Sequence, residues 1–210
     1  MDFTYEAKNT NLKLETYEWD NIWIEQAPVC DKHRIMIIGD SISCGYRRMV
    51  TEFTEGRLLA DGIGTSKALD NPFFTGLIDY VLPQVSGSGI IQFNNGLHGW
   101  HLSDDEYKLH YSNMVDFLLT KVPKEKLIIA LTTPVRDGID LNKFDKRNDC
   151  VLKRNEIASE IANAKGLIIN DLYETVVNKP HLWLADGVHL KEEGSKLLAE
   201  QVAEVAEKCI

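Results

Sequence analysis

Short, mostly apolar runs alternate along the chain with longer stretches in which apolar residues recur every three or four positions. The short runs are Arg34–Ile38, Arg57–Ala60, Gly89–Phe93, Leu127–Leu131 and Gly166–Asn170. Lacking an alternating polar face, they read as strands buried on both sides. The clearest helix starts at Ser103, where Ser-Asp-Asp-Glu forms a capping box, and continues through Tyr107, Tyr111, Val115, Leu118 and Val122. A second helix is predicted from about Lys191 to the C-terminus, with Leu198, Val202, Val205 and Cys209 on one face. A third covers roughly Cys150 to Ala164.

Strands that alternate with helices need crossover connections, which favour parallel pairing with helices packed on both faces. The pattern therefore predicts a three-layer α/β/α domain, with ligands outside the carboxyl ends of the strands. Residues 1–30, including Tyr17, Trp19, Trp23 and Ile24, fit neither period. They are expected to form an N-terminal arm or an edge strand, and residues 31–210 the domain itself.

Composition narrows this picture. A chain of 210 residues, 44% hydrophobic and 26% charged, can bury one sizeable core, and no repeat or low-complexity linker divides it. Its net charge of −9 repels phosphate backbones and anionic bilayers, so neither nucleic acid nor a membrane is an expected partner. The N-terminus has no basic and apolar signal regions, and no run of 18 apolar residues occurs, so a cytoplasmic location is expected. Cys30, Cys44, Cys150 and Cys209 are scattered, as free thiols would be. No cofactor is expected. Gly62-Ile63-Gly64 and Gly87-Ser88-Gly89 lack the rest of a dinucleotide fingerprint, and there is no phosphate-binding G-x-x-x-x-G-K-[ST]. His98-Gly99-Trp100-His101 lacks further ligands at metal-binding spacing, so no metal is expected.

Candidate chemistry lies at the two ends of the domain. Gly39-Asp40-Ser41 follows the first strand, where Ser41 either caps a helix or acts as a nucleophile with its N–H near the positive helix end. A serine nucleophile needs a base, and the base needs a group that orients it. Asp186-Gly187-Val188-His189 supplies both, and His189 alone among the six histidines has an aspartate three residues before it. No G-x-S-x-G elbow is present, which argues against the α/β-hydrolase arrangement.

Gly-Asp-Ser near the start together with Asp-x-x-His near the end resembles the SGNH, or GDSL-type, hydrolase family. The resemblance implies a flavodoxin-like fold with a five-stranded parallel sheet, and a catalytic triad of Ser41, Asp186 and His189. It also implies an oxyanion hole made by the Ser41 N–H, a glycine after the second strand and an asparagine after the third. Gly64 is preferred over Gly62 for the glycine. Phe93-Asn94-Asn95-Gly96-Leu97 departs from the family's common Gly-x-Asn-Asp. It is similar instead to an Asn-x-Gly-Leu variant in members acting on acetylated carbohydrates. That makes Asn94 the candidate donor, with Asn95 as substitute. His98, Trp100 and Trp183 are candidate substrate contacts, the tryptophans as surfaces for a sugar ring. Arg136 is read as a solvated surface residue. The expected partner is a small acylated molecule, foremost an acetylated oligosaccharide. A lipid or short-chain acyl esterase or thioesterase, and a non-catalytic carbohydrate-binding protein, are the alternatives.

Overall fold

The structure, a computed structural model, describes residues 13–85 and 88–210. The part of the expected arm formed by residues 1–12, and Gly87, lie outside the described residues.

Six strands form one sheet in the order β1-β3-β2-β4-β5-β6. Strands β2 (His33–Gly39), β3 (Leu58–Thr65), β4 (Ser88–Phe93), β5 (Leu127–Ala130) and β6 (Ile168–Asn170) are all parallel. The sixth, β1 (Asp20–Trp23), runs antiparallel along β3, placing Asn21 opposite Gly64. The sheet is thus the expected parallel one with an antiparallel edge strand added. Helices α1 (Ser41–Phe53), α2 (Phe74–Val81), α3 (Asp104–Leu119), α4 (Arg147–Lys165), α5 (Leu172–Val176) and α6 (Glu192–Glu207) cover its faces.

Successive side chains of a strand point to opposite faces, so β2 feeds two cores at once. Ile35 and Ile37 join Tyr46 and Val50 of α1 and Leu198 and Val202 of α6. Met36 and Ile38 join Phe74 and Ile78 of α2, Tyr107 and Tyr111 of α3, and Ile157 and Ile161 of α4. Each such buried aliphatic or aromatic side chain contributes about 1.5–3 kcal/mol.

Several boundaries differ from the sequence expectation: α3 stops at Leu119, short of Val122, α4 starts at Arg147, ahead of Cys150, and α6 stops at Glu207, short of Cys209. The segment Asp61–Thr65, expected as a loop because Asp and Gly favour turns, continues β3. Asp61 is fully buried there and takes a two-pronged ion pair from Arg34, whose Nε and Nη2 lie 2.9 and 2.8 Å from its two oxygens. Gly166, expected within a strand, instead ends α4 in the left-handed conformation (φ 67°), which glycine adopts without penalty.

Candidate active site

Ser41 is the first residue of α1, separated from β2 by Asp40 alone. The cap is Asp40, whose carboxylate accepts the N–H of Ile42 at 2.9 Å. That leaves the Ser41 hydroxyl available to another partner, while its N–H, at the first helical position, has no acceptor within the helix. Ser41 Oγ lies 2.9 Å from His189 Nε2. On the far side of the ring, Nδ1 is 2.8 Å from Asp186 Oδ2.

The Asp186–His189 turn is fixed from within and from without. Asp186 Oδ1 accepts the N–H groups of both Val188 and His189 at 2.9 Å. Burial pushes the Asp186 carboxyl up, but these two N–H groups and the imidazole outweigh it and hold it below the usual carboxylate range. The Gly187 carbonyl accepts the Arg136 N–H at 2.7 Å. Gly187 has φ 71°, and a Cβ there would stand 2.0 Å from the Arg136 carbonyl oxygen, so only glycine fits.

Ser41, Asp186 and His189 open into one cleft of about 270 Å³. Leu97, Trp100, Val135 and Val188 give it apolar walls, and His98 and Arg147 add polar groups. His98 is buried, with Nδ1 2.6 Å from Glu15 Oε1 and its ring edge-on to Trp19. Burial alone would lower its pKa. The Glu15 hydrogen bond and the charges of Asp40, Glu15 and Glu18 reverse this and leave it raised.

The loop that carries these walls hangs on Arg154 of α4. Its guanidinium donates to the carbonyls of Gly96, His98 and Gly99 at 2.7–3.0 Å and lies between the faces of Trp100 and Tyr107. A buried guanidinium satisfied by three carbonyls and two aromatic faces has no short-range sequence signature. Arg147 also went unread; Lys146-Arg147 at a helix start, where acidic residues are favoured, was the available signal.

The remaining sequence candidates sit elsewhere. Trp183, expected at the site, is fully buried in the core, with the Arg136 guanidinium 4.6 Å from its ring centre. Arg136, expected at the surface, is itself buried and donates to the carbonyls of Leu141 and Val177. Gly64 lies within β3, between Gly39 and Asn21, not on a loop. Asn94 follows β4, its N–H bonded to the Ile38 carbonyl, and its amide donates to Ala130 O at 2.7 Å and Thr132 Oγ1 at 2.9 Å. It borders a smaller recess shared with Asp40, Ser43 and Thr133. Asn95 is buried and donates to the Lys67 carbonyl.

The arrangement of strands and helices recurs in solved structures. A member of the lipolytic G-D-S-L family from Veillonella parvula superposes with a TM-score of 0.67 at 19% identity, covering 84% of this chain and 99% of that one. The fold is that of the SGNH hydrolases. An acetyl xylan esterase of this fold gives a TM-score of 0.62 at 19% identity, covering 80% of this chain and 97% of its own. The C-terminal catalytic domain of a Streptococcus pneumoniae peptidoglycan O-acetyltransferase, carrying a methylsulfonyl adduct, gives 0.61 at 19% identity, covering 85% and 94%. No family model and no curated protein sequence matches the chain. Among the described residues, no helix is long and apolar enough to cross a membrane.

Proposed function

We propose that the protein is a serine esterase that removes short acyl groups, foremost acetyl, from oligosaccharides. The observation that carries this reading is the unbroken hydrogen-bonded line from Ser41 Oγ through His189 to Asp186. His189 Nε2 takes the Ser41 proton as Oγ attacks the ester carbonyl, and Asp186 fixes the tautomer and stabilises the imidazolium. The tetrahedral oxyanion forms beside the Ser41 N–H at the positive end of α1. His189 returns the proton to the departing alcohol, then activates water to release the acid from the acyl-enzyme.

Asn94 is the second oxyanion donor in this reading. Its amide is held at the strand ends by Ala130 O and Thr132 Oγ1, and it serves the oxyanion by exchanging its bond to the Thr132 hydroxyl for one to substrate. Gly64 is retained as a positioning residue of β3 rather than as a loop donor. Small acyl groups are favoured by the cleft volume of about 270 Å³, below the roughly 300–1,000 Å³ of drug-sized sites. A carbohydrate acetyl substrate is supported by the Asn-x-Gly-Leu block, by Trp100 in the wall, and by the acetyl xylan esterase of like fold.

The deciding experiment is labelling with a fluorophosphonate probe alongside hydrolysis of an aryl acetate. Wild-type protein is labelled at Ser41. Ser41→Ala folds normally, takes no label, and loses about 10⁶-fold in kcat. Undiminished hydrolysis by that variant overturns the reading. Mass spectrometry of acetylated manno- and xylo-oligosaccharides tests the substrate, and unchanged masses in both exclude it.

A further inference from the structure

Arg147 opens α4 on the wall of the same cleft as Ser41 and His189. Its root is fixed, because both its backbone N–H and its Nε donate to Asp145 Oδ1 at 2.8 Å. Its two terminal nitrogens find no acceptor among the described residues, and the side chain is 30% exposed. Asp145 pairs with the guanidinium on its Nε edge only, and the triad carboxylate does not compete for the other edge, since Asp186 is bonded to Val188 and His189. A planar guanidinium with an open pair of N–H donors matches a carboxylate in two-point contact.

Two further observations set this group apart from ordinary surface charge. The chain carries a net −9, so a cation facing the cleft does not come from a generally basic surface. A basic residue in the first turn of a helix also opposes the helix dipole, so the dipole does not account for a cation at that position. Nearby, His98 adds a second polar group on the cleft wall, its Nδ1 held by Glu15. Leu97, Val135 and Val188 in the same lining are apolar and suit the acyl methyl group.

We propose that Arg147 determines specificity by pairing with a carboxylate of the substrate, so that the preferred esters are acidic ones. This rests on the esterase reading above. The carboxylate belongs either to the alcohol part, as in an acetylated uronic acid, or to the acyl part, as in a hemisuccinate. The recognition chemistry is the same in both.

The test compares kcat/KM on two matched pairs: O-acetylated methyl glucuronoside against O-acetylated methyl glucoside, and an aryl hemisuccinate against the aryl butyrate. Wild-type enzyme prefers the carboxylate partner by about tenfold or more in one pair, mainly through KM, and the pair that responds identifies the source. Arg147→Met abolishes the preference, Arg147→Lys keeps part of it, and Lys146→Met keeps all of it. Equal kcat/KM within both pairs, or a preference that survives in Arg147→Met, overturns the proposal while leaving the esterase reading intact. Calorimetric binding of methyl glucuronoside, succinate and methyl glucoside to Ser41→Ala reads the same selectivity without turnover. No difference among the three there also overturns it, and absence of fluorophosphonate labelling separately removes the esterase reading.

Discussion

Ser41 owes its availability to its neighbour. Had the serine capped α1, its hydroxyl would be occupied by a backbone N–H; with Asp40 as the cap, it reaches His189 instead. The tripeptide alone does not distinguish these states, and the paired Asp186 and His189 are what make the proposed triad legible in the sequence. Asn94 and Arg154 differ in the same respect. Asn94 was readable from a motif, and Asn94→Ala is expected to lower kcat by about 10²–10³-fold with KM little changed, as loss of one oxyanion donor does. Steady-state kinetics on an aryl acetate check this, and a change of less than threefold assigns the amide to anchoring alone. Arg154 was not readable, because its three carbonyl partners lie 55 to 58 residues away. Arg154→Met removes the side-chain donor from the buried Gly96 and His98 carbonyls, while that of Gly99 keeps the Leu102 N–H, so a loss of about 3 kcal/mol is expected in denaturant unfolding. A loss below 1 kcal/mol would mean that water replaces the guanidinium.

Strand β3 was cut short in the sequence reading because Asp61, Gly62 and Gly64 are turn formers in isolation. Their reason for being in a strand is tertiary. Asp61 answers Arg34 in the interior, and a Cβ on Gly62 would meet Arg47 Cδ at 2.4 Å. A Cβ on Gly64 would meet Cys44 Sγ at 2.2 Å. The glycines let α1 lie close against β3, and with it Ser41. Gly64→Ala is therefore expected to lower stability by about 1–3 kcal/mol through overpacking and to reduce kcat as the start of α1 shifts. Thermal unfolding and kinetics on the same sample check both, and Gly64→Ala with Cys44→Ala should recover part of the loss. Helix α3 posed no such difficulty: its capping box and its buried Tyr107, Tyr111, Val115 and Leu118 follow the predicted pattern directly. The short helices α2 and α5 gave too few turns for a period to emerge.

At the scale of the molecule, the α/β/α layering was legible because five buried strands and their intervening helices carry distinct periods. The antiparallel edge was left as one of two alternatives, since the four residues of β1 are largely exposed and show no alternation. Beside it, the segment through Glu15 and Trp19 reaches the cleft by way of His98. This ties global stability to pH. His98 has a raised pKa in the folded state, so the stabilisation is complete below its unfolded value of about 6.5 and is lost as pH rises through the folded one. Glu15→Gln should cost about 2 kcal/mol in mildly acidic buffer, the worth of a charged hydrogen bond, and less at alkaline pH. Melting temperatures of both proteins across that range check the sign, and a deficit that grows with rising pH contradicts it.

The hydrogen bond between Ser41 and His189 joins residues 148 apart in the chain. During synthesis, the serine and most of its sheet emerge long before the base that activates it. On the proposed mechanism a nascent chain therefore holds an inert hydroxyl, and nucleophilic reactivity arrives only when the last loop docks ahead of α6. Reactivity toward a fluorophosphonate thus reports completed folding, and a ribosome-stalled chain ending before residue 186 should stay unlabelled although its first strands are already formed.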